Sequence, residues 1–300
     1  MPDAPRVGLI GPGRWGLLIL RDLAALGAEV WAVALSAPSA DAARAGGATQ
    51  VVGSLDELPM LDGYVVATPE HTHLDIIEPL LSRGRPIFVE KPLDVDVQRA
   101  RALPPAAHGL VFVMHKWRYH PGVEAMARIA ASGELGAVRG LVLERLDRAT
   151  PARKVGPIWI LAPHDLSIAL HVLGAAPRPV WAARHPAIAA GRGLMAMLET
   201  PGGVPVSLAI GVDLPFYRRN MVLGCEQGAV QLADPMDPHL TIARPGQELE
   251  LRPISTELPL LRELRTFLEH LAGGPAPMTP LADELEMLQS IEQLIAMSSR

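Results

Sequence analysis

Along the first 115 residues, short and wholly apolar runs alternate with stretches whose apolar positions repeat at helical spacing. The runs at 6–10, 29–35, 49–52, 64–67, 86–89 and 110–114 predict strands. The stretches at 15–26, 39–45, 72–82 and 94–103 predict helices, with a helical turn at 54–58. Strands apolar on both faces belong in a parallel sheet covered on both sides. Regular strand–helix alternation therefore predicts a doubly wound α/β sheet, a Rossmann domain, over residues 1–118.

The pattern changes after Trp117. Residues 122–132 predict an amphipathic helix closed by Gly133, followed by a long strand at 138–145 and a helix at 163–173 that stops at Gly174. Runs at 179–185, 193–199, 204–212, 218–224, 228–233 and 239–243, separated by Gly and Pro, read as a meander. Helices at 259–272 and 281–298 end the chain. Residues 119–300 thus predict an α+β domain with a mostly antiparallel sheet.

Composition narrows the function classes. At 300 residues and 49% hydrophobic content the chain can bury two cores. A net charge of −5 argues against nucleic acid and anionic membranes as main partners. Cys225 is the only cysteine, so neither an internal disulfide nor a Cys-based metal site is expected, and no HExxH-type spacing points to a metal. The first residues lack the layout of a secretory signal and no run approaches a membrane span, so a cytoplasmic protein is expected.

Gly11-Pro12-Gly13-Arg14-Trp15-Gly16 is a GxGxxG between a predicted strand and a predicted helix, the context the motif needs. Gly11 permits the tight turn, Gly13 lets a pyrophosphate approach the backbone, and Gly16 lets the helix pack on the strand. The helix N-terminus offers N–H groups and the positive dipole end to phosphates. Arg14 and Trp15 lie in the loop, and Arg14 or Arg44 could approach a phosphate. An acid that holds ribose hydroxyls is expected about 20 residues on. That position falls on Leu35 or Ser36, neither acidic. Ser36 could bond either cofactor, and loss of the acid tilts the choice between NAD and NADP toward NADP.

Thr68-Pro69-Glu70-His71-Thr72-His73 follows the fourth strand, and Glu90-Lys91-Pro92 follows the fifth. In order and spacing, with the glycine loop, they resemble the glucose–fructose oxidoreductase / inositol dehydrogenase (Gfo/Idh/MocA) family. The likeness continues through Ser132-Gly133-Glu134-Leu135-Gly136, Leu161-Ala162-Pro163-His164-Asp165 and the terminal helices, and so covers nearly the whole chain. Within the family, the Ala-Pro-His-Asp segment and the Gly-Arg-Trp-Gly loop are most similar to enzymes acting on nucleotide-linked amino sugars, the nucleotide-sugar 3-dehydrogenases.

The resemblance implies reversible hydride transfer between a nicotinamide ring and a secondary alcohol carbon of a sugar-like substrate, in a homodimer or homotetramer. Lys91 sits at a strand's carboxyl end, where ligands of open α/β sheets bind. There it can pass the hydroxyl proton, a task suited to an amine whose pKa falls on burial. His164 would assist or position, and Thr68, Pro69, His73, Glu90 and Lys91 would contact the cofactor on its nicotinamide side. From the residues alone, Lys91 could equally be a surface ion-pair lysine and His164 a buried structural histidine. His171 reads as structural, while His115 and His120 could line the cleft. One departure matters: where the family often has an aspartate four residues before the histidine, this chain has Ile160. Two further readings stay open. One is a non-catalytic dinucleotide-binding sensor or partner subunit; the other is a reductase of an imine, diol or tetrapyrrole.

Overall fold

The computed structural model describes residues 4–148 and 155–299. Two compact units are formed, Met1–Lys116 with Leu258–Leu285, and Trp117–Glu257 with Glu286–Arg300. The single division expected after residue 118 is therefore replaced by an interleaved one. The chain leaves the first unit at Lys116, returns at Leu258 and leaves again inside its last helix.

The first unit begins β1 (Arg6–Ile10), α1 (Arg14–Ala25), β2 (Glu29–Val33), α2 (Ala37–Ala45), β3 (Gln50–Val52), β4 (Gly63–Val66) and α3 (His73–Leu81). It continues with β5 (Ile87–Glu90), α4 (Val97–Arg101), α5 (Ala107–Leu110) and β6 (Val111–Met114). All six strands pair in parallel in the order β3-β2-β1-β4-β5-β6. The order reverses at β1, so the loops after β1 and β4 diverge at a switch point, where α/β sheets bind ligands. Val7, Leu9, Val65 and Phe88 are fully buried in the sheet, as a strand covered on both faces requires.

The second unit adds α6 (Pro121–Ser132), β7 (Val138–Leu146), α7 (Pro157–Leu173), β8 (Arg178–Arg184), β9 (Gly193–Glu199) and β10 (Pro205–Gly211). Then come β11 (Arg218–Cys225), β12 (Gly228–Leu232), β13 (His239–Ala243), β14 (Glu250–Pro253), α8 (Pro259–Leu271) and α9 (Leu281–Ser298). Its eight strands run β14-β13-β12-β11-β7-β10-β9-β8, antiparallel except for the β7–β10 pair. Side chains alternate across it: Leu141 and Leu143 are buried while Val142 is exposed, and Leu194, Ala196 and Leu198 are buried while Met195 and Met197 are exposed. The buried face packs with residues of α6, α7 and the later part of α9 in one core.

Two differences from the sequence reading have physical causes. Helix α7 starts at Pro157, not at residue 163, and Pro163 lies within it. A proline is favoured in the first turn, which fits both positions. The earlier one wins because Ile158, Leu161 and Ala162 bury their side chains in the core only if the helix includes them. Helix α8 belongs to the first unit because its apolar stripe of Leu260, Leu264, Phe267 and Leu268 joins that core, with Phe267 stacked on Phe88 at 4.9 Å.

Candidate active site

In the first unit, the loops after β1, β4, β5 and β6 leave the same edge of the sheet, since Ile10 pairs with Val66, Val66 with Val89, and Glu90 with Met114. Gly11 has φ +90°, and a Cβ there would lie 2.6 Å from Thr68 Cγ2 and 3.0 Å from the Ala67 carbonyl. A Cβ on Gly16 would lie 2.1 Å from Gly11 O. These two glycines let the loops after β1 and β4 and the start of α1 meet. Gly13 differs: a Cβ there would meet nothing within 4 Å. The start of α1 also carries no side-chain cap. Bare backbone over open space, at an uncapped helix N-terminus, is what a pyrophosphate needs, so the residues fit a dinucleotide.

The nicotinamide-side candidates converge on the same edge. Trp15 Nε1 donates to Glu90 Oε1, and Glu90 Oε2 accepts the Lys91 N–H at 3.1 Å. Lys116 Nζ lies 4.5 Å from the centre of the Trp15 ring, a cation–π contact. Lys91 is half-buried, and the Lys91–Pro92 peptide bond is cis. Thr68 is half-buried and Pro69 and Arg14 are exposed.

His73 is placed differently from the expectation of cofactor contact. Its ring is 1% exposed, with Nδ1 3.0 Å from Pro92 O and Nε2 2.9 Å from Thr68 O. Both nitrogens face backbone oxygens, so the ring braces the loops after β4 and β5 against each other. At the end of β2, Leu35 is 88% exposed, and the Ser36 hydroxyl caps α2 by accepting the Ser39 N–H at 3.4 Å. Neither residue offers a carboxylate to ribose.

The second unit holds His164, half-buried on α7. The Trp117 ring meets it edge-on at 6.3 Å and stacks on His120 at 5.3 Å, and the Arg145 guanidinium sits 4.8 Å from the Trp117 ring centre. Arg145 Nε donates to Asp165 Oδ2 at 2.6 Å, both residues being buried. Burial pushes the Asp165 carboxyl above its usual range, and the Arg145 guanidinium opposes the rise. Asp165 is thus committed to Arg145. Arg118 Nε donates to Ser167 Oγ at 2.9 Å. Ile160, one turn before His164, is buried. His171 is held below its ordinary value by burial and then by Arg118, as suits a structural histidine. His115 and His120 do not serve as open lining residues: His115 is buried against Glu284, and His120 caps α6 while bonding Pro235 O at 2.9 Å.

Sequence reasoning missed Glu284, Arg145, Trp117 and Tyr217. Glu284 carried no signal because its partners lie 169 and 191 positions away. Tyr217 lies among charges of the second unit; burial and then Asp234 and Asp147 raise its hydroxyl above the ordinary value. Among the described residues, no group of three or more His, Cys, Asp or Glu is placed to hold a metal ion, and no helix is long and apolar enough to cross a membrane.

Residues 5–110 match the family model described as an oxidoreductase family with an NAD-binding Rossmann fold. The inositol 2-dehydrogenase of Rhizobium meliloti is 30% identical over 189 residues, 59% of this chain and 57% of that protein. The chain thus spans little more than half the length of that relative. Among solved structures, the UDP-N-acetylglucosamine 3-dehydrogenase of Acidithiobacillus ferrooxidans superposes with a TM-score of 0.85 at 23% identity, covering 99% of this chain and 98% of that one. A 3-ketoreductase from Actinomadura kijaniata, in complex with TDP-benzene and NADP, superposes with a TM-score of 0.81 at 21% identity, covering 99% and 98%. At these identities the superpositions speak for the fold. The glycine loop and the Glu90-Lys91-Pro92 segment lie within the stretch that matches the oxidoreductase family model, and the superpositions extend the likeness in fold to both sheets.

Proposed function

We propose that the protein is an NAD(P)-dependent dehydrogenase that moves hydride reversibly between the nicotinamide ring and a secondary alcohol or ketone carbon of a sugar or sugar derivative. The observation that carries this is the uncapped, unobstructed Gly13 segment on the same sheet edge as Lys91. A bound dinucleotide supplies the hydride acceptor or donor. Gly11, Gly13 and Gly16 form its phosphate seat, with Arg14 at the rim. Glu90 fixes the Trp15 indole and the Lys91 backbone. Lys91, as the amine, takes the hydroxyl proton when the alcohol is oxidised, and returns it as ammonium when the ketone is reduced. His164 is the second candidate for substrate contact, held from one side by Trp117.

The finer assignments belong to the same proposal. Leu35 and Ser36 present no carboxylate to repel a 2′-phosphate, which favours NADP over NAD. A cytoplasmic location, where a nicotinamide pool is at hand, is part of the same proposal. A homodimer or homotetramer forms through the open sheet face. Trp181, Met197, Ser207, Val142 and Val222 are successive cross-strand partners there, and Trp181, Met197 and Val142 are exposed. Met197→Glu should then lower the mass measured by sedimentation.

Calorimetric titration with NAD, NADH, NADP and NADPH, followed by a screen of polyols and nucleotide-linked sugars, tests the proposal. The buried Ile160 favours one other reading, a dinucleotide-binding protein without turnover. Tight cofactor binding with no reaction across the screen would select it.

A further inference from the structure

The segment that carries Lys91 is tied down by three side chains, its neighbour Glu90 and two from elsewhere in the first unit, His73 and Glu284. The Lys91 N–H donates to Glu90 Oε2 at 3.1 Å, Pro92 O lies 3.0 Å from His73 Nδ1, and the Leu93 N–H donates to Glu284 Oε1 at 2.9 Å. Three successive residues beyond the end of β5 thus satisfy backbone groups through side chains instead of sheet partners. Glu284 is the unusual member. It is 0% exposed, and its second oxygen lies 2.7 Å from Nε2 of His115, itself 1% exposed. A carboxylate is taken wholly out of water only where both oxygens are compensated.

The fold delivers it there by construction. Phe112 bridges to Pro280 and the Val113 N–H donates to Thr279 O at 3.0 Å, which docks the approach to α9 along β6. Glu284 then falls in the first turn of α9, where the helix dipole favours a negative charge. His115 follows directly on β6.

We infer that Glu284 is a positioning residue for Lys91, acting through the Leu93 N–H with His115 as its anchor. It holds the 91–93 backbone on one side while His73 holds it on the other. The inference rests on the reading of Lys91 as the proton-transferring group. Position, not charge, is what Glu284 supplies. Its isostere Gln keeps an oxygen within reach of Leu93 N, whereas Asp keeps the charge but is one methylene too short to span Leu93 N and His115 together.

The test uses the full chain in Glu284→Gln and Glu284→Asp forms, reductively methylated with ¹³C-formaldehyde. The only lysines are Lys91, Lys116 and Lys154, so the spectrum resolves individual side chains, and Lys91→Arg assigns its signal. The expected result is a Lys91 signal at its wild-type position in Glu284→Gln and displaced in Glu284→Asp, with melting temperatures recorded beside it. Unmethylated Glu284→Asp should also lose about tenfold or more in kcat, with cofactor affinity unchanged. A wild-type Lys91 signal in Glu284→Asp, or a displacement in Glu284→Gln as large as in Glu284→Asp, would overturn the inference. The spectrum needs neither substrate nor cofactor, so its outcome stands apart from failure of the dehydrogenase reading, which a cofactor titration reports.

Discussion

Replacing Gly13 by alanine puts a methyl group on the open face of the glycine loop without disturbing the loop itself. The backbone angles of −79° and −169° suit alanine, and its Cβ meets nothing within 4 Å. Alanine has less freedom than glycine in the unfolded chain, which favours folding by about 0.4–1 kcal/mol. At a helix N-cap, alanine is worse than glycine by about 0.5–1 kcal/mol. The two offset each other, so the melting temperature should stay within about 2 °C of wild type. Binding should change far more. The methyl group occupies the surface over which the pyrophosphate passes and lifts it from the N–H groups of the first turn of α1. A hydrogen bond to a charged group contributes about 1.5–3 kcal/mol, so loss of one weakens binding about tenfold to a hundredfold. Thermal melts and calorimetric titration with NADH and NADPH read the two effects separately. Gly16→Ala is the contrast: its Cβ would lie 2.1 Å from Gly11 O, so α1 must shift and the melting temperature must fall. Wild-type affinity in Gly13→Ala would refute the assignment of the loop as a phosphate seat.

Arg145→Met should destabilise the protein by about 3–5 kcal/mol, read from the denaturant midpoint, because it strands the buried Asp165 carboxylate. Adding Asp165→Leu should recover much of the loss. His171 has a folded-state pKa below its ordinary 6.5, so the unfolded chain takes up the proton first as the pH falls. Its contribution is complete above 6.5 and is lost as the pH drops below it. His171→Gln should flatten that limb of the stability–pH curve, and an unchanged slope would refute the assignment.

The sheet of the first unit and its glycine loop were legible because their signals are local: apolar runs, helical spacing and three glycines within six residues. The residues at the ends of β4 and β5 were legible as motifs, but the use of one of them was not. His73 lies in a motif that suggested cofactor contact, yet its environment is set by Pro92 and Thr68 backbone oxygens that spacing does not reveal. Glu284 was invisible for the same reason, its partners being remote in sequence. The interleaving of α8 into the first core depends on the match of its apolar stripe to Phe88, a packing fact and not a pattern. The start of α7 was misplaced because two prolines compete for one role and burial decides between them.

The most direct test is turnover by wild type and Lys91→Met, side by side, with NAD or NADP and a panel of cyclic polyols and nucleotide-linked sugars, followed by the absorbance of the reduced nicotinamide. The expected result is reduction of the cofactor by wild type with at least one substrate, and a loss of about a hundredfold or more in kcat for Lys91→Met measured at saturating cofactor. Equal turnover by Lys91→Met, or firm cofactor binding with no reaction anywhere in the panel, would contradict the proposed dehydrogenase.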